Sequence, residues 1–234
     1  MKLALLKRAL EASRQGRSAV LLTDLKTGQQ SFTEDGTTSG EIALDDTLRE
    51  GLRRALAEDK NQTVGAVFIE VFNPRLRCIL VGAVHIAQPM ARMAALAGYL
   101  VTVVDPRTAF ASDERFPGIA ISTEWPDEAL ERLKPDRRTA VVTLTHDPKL
   151  DDPALAVALR SDAFYIGALG SKRTHAGRLK RLGELGFTDK DFARIHGPVG
   201  LDIGAVSPSE IAVSIIAEMT LSLRGGRRGK AEAA

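Results

Sequence analysis

From Leu76 onward, short apolar runs alternate with stretches whose apolar residues recur at helical spacing, and that alternation predicts an α/β chain organised on a doubly wound parallel sheet. Two further observations agree. The run "CILVG" ends at Gly82 and leads directly into a helical stripe, a strand–turn–helix start of Rossmann-like type. The length of 234 residues suits one sizeable α/β domain with a smaller neighbour. The expected division is a small N-terminal α+β unit over 1–74, a Rossmann-like domain over 75–224 and a disordered tail over 225–234.

In chain order, Leu3, Leu6, Ala9 and Leu10 fall on one face of a short amphipathic helix over 2–15. "SAVLLTDLKTGQQSF" reads as a hairpin turning at Lys26-Thr27-Gly28, and "FTEDGTTSGEIALDD", rich in Gly, Thr and Asp, reads as loop. Leu48, Leu52 and Leu56 mark a helix, and "VGAVFIEVF" a strand ending at the turn "NPR". Apolar residues are few for a unit of this size to stand alone. In the second part, "CILVG" is a strand, Ile86, Met90, Met93, Ala94 and Ala97 form a helical stripe, and "YLVTVVD" is the next strand, completing a βαβ unit. "GIAIS", "TAVVTLT" and "AFYIGAL" supply three more strands, five in all, with helices over Asp151–Arg160 and Ser171–Leu185. The last helix opens with Ser207 as N-cap, Pro208 at N1 and Glu210 at N3, a capping box that gives Glu210 a structural role. Its stripe of Ile211, Ala212, Ile215, Ile216 and Met219 suits either packing on the sheet or a homodimer contact.

A balance of 32 basic against 30 acidic residues gives a net charge of +2, too weak a field to attract nucleic acid by itself. Basic clusters at Lys172–Arg173, Arg178–Arg181 and Arg224–Lys230 read first as solvated helix faces or tail. The single cysteine, Cys78, excludes an internal disulfide and a multi-cysteine zinc site, and its place in an apolar strand makes it a buried small hydrophobe. A cytoplasmic location follows as the expectation. No apolar run approaches the ~18 residues that span a bilayer, and the charged N-terminus is not a signal peptide.

Ligands of open parallel sheets bind beyond the carboxyl ends of the strands, so the strand ends carry the candidates. They hold Gly82, Ala83, Val84 and His85; Asp105 and Arg107; His146 and Asp147; and "GALGSKR", with Gly167, Gly170, Ser171, Lys172 and Arg173. The Gly82 turn lacks the second glycine of G-x-G-x-x-G, with Val84 in its place. Asp105, 23 positions on, stands where an acid accepts from a ribose, and equally where a turn ahead of Pro106 wants an Asp. Arg107 can clamp a phosphate or remain solvated. "GALGSKR" is the better anion site, because cations in a first helical turn oppose the macrodipole and a purely structural sequence tends to avoid them. His146 and Asp147 suit a general-base or metal pair, yet the four histidines form no metal-binding array, so no metal site is expected.

"VVDPR", "FPGIAIS", "VVTLTHDPKLDDPAL", "YIGALGSKRT", "PVGLDIGAVSPSEIAVSIIAEM" and the Gly82–His85 turn together resemble, in order over residues 76–224, the xanthine dehydrogenase accessory family of XdhC/CoxI type. The resemblance implies an accessory or maturation factor for a molybdenum hydroxylase of the xanthine, aldehyde or carbon monoxide dehydrogenase type. Such a factor binds molybdenum cofactor, as molybdopterin or its cytosine dinucleotide, assists sulfuration with a cysteine desulfurase and delivers the cofactor to the apoenzyme. It implies a chaperone more than a catalyst. Gly82, Ala83, Val84, His85, Asp105, Arg107, His146, Gly167, Gly170, Ser171, Lys172 and Arg173 would then line the cofactor site. Two departures stand out. The family's Gly-Ala-Gly-His is Gly82-Ala83-Val84-His85 here, and the family's N-terminal glycine motifs are reduced to "TSGEIALDD" with Gly40 and Glu41, which implies a second protomer or separate family-type partner to complete the pocket. The residues alone also leave open an NAD(P)-dependent oxidoreductase that uses the Gly82 turn.

Overall fold

The computed structural model describes residues 3–225. They divide into two compact units between Arg75 and Leu76. Of the tail expected over 225–234, all but Gly225 lies outside the described residues.

The first unit runs α1 (Leu3–Arg14), β1 (Ala19–Asp24), β2 (Gln30–Glu34), β3 (Thr37–Gly40), α2 (Asp46–Glu58), β4 (Gln62–Val64) and β5 (Val67–Phe72). Its sheet is antiparallel in the order β3-β2-β1-β5-β4. Alternation along β1 sends Val20 and Leu22 to a cluster with Leu48 and Ala55 of α2, and Ala19 to another with Ala9 and Ala12 of α1. Two sequence expectations need correction here. The stretch read as loop contains β3, because Asp35 (φ 49°) and Gly36 (φ 77°) form the left-handed pair of a tight hairpin turn and carry the polar run onto an edge strand. The single strand expected in "VGAVFIEVF" is a hairpin, since Gly65 (φ 57°) reverses the chain between β4 and β5. Gly40 has a packing role: a Cβ there would stand 2.5 Å from the Gln30 carbonyl oxygen.

The second unit runs β6 (Arg77–Val81), α3 (Ala87–Leu96), β7 (Leu100–Val104), β8 (Ala120–Ser122), α4 (Pro126–Leu133), β9 (Thr139–Thr143), α5 (Pro148–Arg160), β10 (Tyr165–Ala168), α6 (Lys172–Glu184), α7 (Asp189–Phe192), β11 (Ile195–His196) and α8 (Pro208–Arg224). All strand pairs are parallel, in the order β8-β7-β6-β9-β10-β11. This is the doubly wound order, with its direction reversing between β6 and β9. The sheet has six strands where five were expected, because the two-residue β11 is too short to show a pattern in sequence.

Strand alternation feeds two cores. Cys78 and Leu80 pack with Met90 and Ala94 of α3 and with Ala212, Ile215 and Met219 of α8. Ile79 and Val81 pack with Leu130 of α4, Leu155 and Leu159 of α5 and Leu182 of α6. The apolar stripe of α8 is therefore a sheet-packing face. Its capping box forms as expected, Ser207 accepting from the Glu210 N–H and the Glu210 carboxylate accepting from the Ser207 N–H. Cys78 is fully buried, which pushes its thiol up to about 12.

Gly82 is held by a close approach at the switch point. Its φ is +106°, and a Cβ there would lie 2.3 Å from Thr145 Cγ2. Gly82→Ala is expected to destabilise the fold by roughly 2–4 kcal/mol through strain and overpacking. Urea denaturation checks this: adding Thr145→Ser, which removes the clashing methyl, should recover part of the loss, and no recovery would contradict the contact.

Candidate functional site

Hydrogen bonds beyond the regular ladders join the strand ends around the switch point. Gly82 N–H donates to Val104 O at 2.8 Å, Asp105 N–H to Ser122 O at 3.0 Å, Leu144 N–H to Val81 O at 2.9 Å and Leu169 N–H to Thr143 O at 2.9 Å. The loops after β6, β7, β9 and β10 thus leave one rim in a fixed register, and most of the sequence-derived candidates lie on it.

On the β6/β7 side the organising group is the fully buried carboxylate of Asp105. Oδ1 accepts from the Arg107 N–H and Nε, each at 2.9 Å; Oδ2 accepts from the Ala83 N–H and Arg107 Nη2, each at 2.7 Å. A carboxylate offers about four lone-pair sites, and all are taken. Burial would raise its pKa, but the Arg107 bonds and the two backbone N–H groups outweigh that and hold it below the usual aspartate value. Arg107, half-buried, also lies over the Phe110 ring at 4.7 Å. Val84 is half-buried against the core of the unit, and His85 is exposed.

On the β9/β10 side a second buried carboxylate, Asp151, does matching work. It accepts from Thr145 Oγ1 at 2.6 Å, Thr145 N–H at 3.4 Å and His146 N–H at 3.1 Å, and so holds His146 in a left-handed conformation (φ 62°). Asp147 caps α5 by accepting from the Lys149 N–H, a structural task in place of the paired role considered with His146. Ser171 caps α6 by accepting from the Thr174 N–H. Lys172 and Arg173 in the first turn are exposed, and neither meets a carboxylate among the described residues. Gly170 has φ +147° and lies close under Thr174. Gly167 sits differently from the other loop residues: it is buried in β10, where a Cβ would stand 2.6 Å from Val199 Cγ2, so its smallness serves packing.

Sequence reasoning missed the far wall of this region. Arg178, read as part of a solvated helix face, is only 1% exposed. It follows Ser171 by seven residues, so the sequence puts it on the same face of α6 as the cap, but only the packing of α5 buries it. Arg178, Arg181, Asp151 and Asp152 line a cleft of about 290 Å³ with His146, Arg173, Thr174 and Gly177. A separate network joins Glu218 of α8 to Tyr165 OH (2.5 Å), Gly200 N–H (2.8 Å) and His196 Nδ1 (3.2 Å), pinning the loop after β11 to α8. Among the described residues no group of three or more His, Cys, Asp or Glu side chains is placed to hold a metal. No helix among them is long and apolar enough to cross a membrane.

A family model described as the XdhC Rossmann domain matches residues 78–219. Curated relatives include the uncharacterized protein YqeB of Escherichia coli (34% identical over 66% of this chain and 28% of that protein). A protein of Bacillus subtilis named as a probable subunit of xanthine dehydrogenase is 36% identical over 65% of this chain and 44% of its own length. The molybdenum cofactor insertion chaperone PaoD of Escherichia coli is 34% identical over 63% of this chain and 40% of its own. The matches thus span less than half the length of these relatives. A crystal structure of a xanthine dehydrogenase from Bacillus halodurans superposes with a TM-score of 0.72 at 26% identity, covering 97% of this chain and 66% of that one.

The Asp105 latch has a pH signature. Its folded-state pKa is depressed, so the unfolded chain takes up the proton first; the stabilisation is present above the unfolded value of roughly 3.9 and is lost as pH falls through the folded value. Asp105→Asn is expected to cost about 2 kcal/mol at pH 7, the scale of hydrogen bonds to a charged group with a partly exposed partner. The difference from wild type should shrink as pH falls below roughly 4, read from denaturant midpoints; a constant difference would contradict the ionised latch.

Proposed function

The chain belongs to the XdhC Rossmann domain family, and on that premise we propose that it handles a molybdenum cofactor during maturation of a molybdenum hydroxylase. The observation that carries this reading is the rim itself: Lys172 and Arg173, which meet no carboxylate among the described residues, stand at the start of α6 beside Gly170, where helix N–H groups favour an anion. Molybdopterin and its cytosine dinucleotide both present phosphate and a polar bicyclic ring. The phosphate suits that helix start, while Val84, His85 and the outer face of Arg107 offer a partly polar wall for the ring, with Gly82 and Ala83 buried beneath it. Arg107 is already oriented by Asp105, so it needs no reordering when it meets a ligand.

The relatives' names support the same class of role, since one is an insertion chaperone for the cofactor and another belongs to a dehydrogenase. In this reading the protein binds and passes on the cofactor without turning it over, a cysteine desulfurase supplies sulfur to it, and the receiving apoenzyme is of the xanthine, aldehyde or carbon monoxide dehydrogenase type. The reduction of the family's N-terminal glycine motifs to Gly40 and Glu41 makes a second copy or a family-type partner a contributor to the complete pocket in this reading. The nicotinamide alternative is weakened by Asp105: its four acceptor positions are filled from within the protein, leaving none for a ribose diol.

Two variants test the reading by anaerobic equilibrium dialysis against molybdopterin. Lys172→Ala with Arg173→Ala should weaken retention by about tenfold or more with little change in thermal stability, as both side chains are exposed. Unaltered retention would remove the anion site from the account. Val84→Gly should tighten retention by relieving the wall beside Ala83; unchanged affinity would show that the ligand does not use that wall.

A further inference from the structure

We propose that the cleft between α5 and α6 is a phosphate pocket, with the buried Arg178 guanidinium as its anchor and the exposed Arg173 as its outer cation. This site is separate from the backbone N–H groups at the start of α6, and its argument begins with hydrogen bonds that Arg178 does not make. A guanidinium carries five N–H donors. Nη2 donates to Leu169 O at 2.8 Å and lies 3.5 Å from Asp151 Oδ2, but Nε and Nη1 are buried with no acceptor from the protein.

Neighbouring carboxylates do not supply the missing acceptors. Asp152 is engaged by Arg181, through Nε at 2.5 Å and Nη2 at 3.1 Å. Asp151 is committed to Thr145 and the His146 N–H. Burial pushes Arg178 down and Asp151 up, so each is held in a place that disfavours its charge and their mutual contact does not cure it. An apolar side chain would fill the same space at less cost. Retaining a guanidinium there makes sense when a further anion completes its shell.

The rest of the cleft fits an oxyanion. Arg173 lines it without a carboxylate partner, and pairing Arg178 with Asp151 and Arg181 with Asp152 leaves one cationic charge over. Gly177 lines it from inside α6, an unfavourable helical position for glycine. The fold does not demand that glycine: a Cβ would meet only Arg181 Nη1, at an ordinary 3.5 Å. What its absence leaves is open space on the cleft wall. The volume of about 290 Å³, roughly ten water volumes, admits a phosphate and a short ester arm. A tetrahedral dianion is favoured over a carboxylate because the donors come from both Arg178 and Arg173.

The phosphate could be inorganic or the terminal group of a cofactor; only the second identification rests on the function proposed above. The test uses the full chain, without cofactor, in thermal unfolding at pH 7 with inorganic phosphate replacing chloride at constant ionic strength. Saturable stabilisation is expected, with the apparent affinity falling about tenfold or more in Arg173→Ala and in Arg178→Lys, which keeps charge but loses the planar fork. If phosphate acts no differently from chloride, or if Arg173→Ala responds like wild type, the proposal is overturned. Arg173 is exposed, so that variant decides even if Arg178→Lys fails to fold. Repeating molybdopterin dialysis with Arg178→Lys, a side chain that the helix-start site does not use, separates the sources: loss of retention assigns the pocket to the cofactor's phosphate, and intact retention with lost phosphate binding assigns it to free phosphate. Failure of the wild type to retain cofactor, with phosphate binding intact, would sink the maturation role and leave the pocket standing.

Discussion

The carboxylate of Asp105 and the Gly82–Thr145 contact govern the geometry of the switch point. Asp105 spends both oxygens inside the protein, tying the Ala83 N–H at the end of β6 to Arg107 beyond the end of β7. Asp151 does the equivalent on the other side, tying Thr145 and His146 beyond β9 to the first turn of α5. Between these latches Gly82 lies against Thr145 more closely than any side chain would allow. Two buried carboxylates and one absent Cβ therefore set the width of the crevice. Loops set in this way can present N–H groups and cations without first being ordered by a ligand.

The same arrangement changes what the first turn can do. In a dinucleotide site the acid after the second strand faces the ribose and the glycine loop faces the pyrophosphate. Here that acid turns inward onto the loop and binds the Ala83 N–H, taking one donor away from any phosphate. Among the described residues, Lys172 and Arg173 meet no carboxylate and Arg178 keeps Nε and Nη1 without an acceptor, all across the sheet from that turn. Under the proposed function, the ligand's anionic end would therefore lie on the α6 side of the crevice, with the β6 turn as a wall.

Much of the architecture was legible in the chain because it rests on local rules. The βαβ start follows from Cys78–Gly82 and the stripe after it; the capping box follows from Ser207, Pro208 and Glu210; the cap at Ser171 follows from residue type and place. What was not legible depends on partners distant in sequence. β11 exists by pairing with β10, and β3 by pairing with β2 around the Asp35-Gly36 turn, whose Asp-Gly signal was present but submerged in a polar run. The inward role of Asp105 and the burial of Arg178 arise from tertiary contacts, and a basic residue on a helix gives no sign of which wall it faces until the neighbouring helix is in place.

The most direct measurement is mass spectrometry of the small molecule released from the full chain after anaerobic purification from cells that make molybdopterin. The account predicts a phosphate-bearing pterin, with or without cytosine nucleotide. Release of a nicotinamide dinucleotide, or of no pterin from protein purified in the presence of excess molybdopterin, would contradict it.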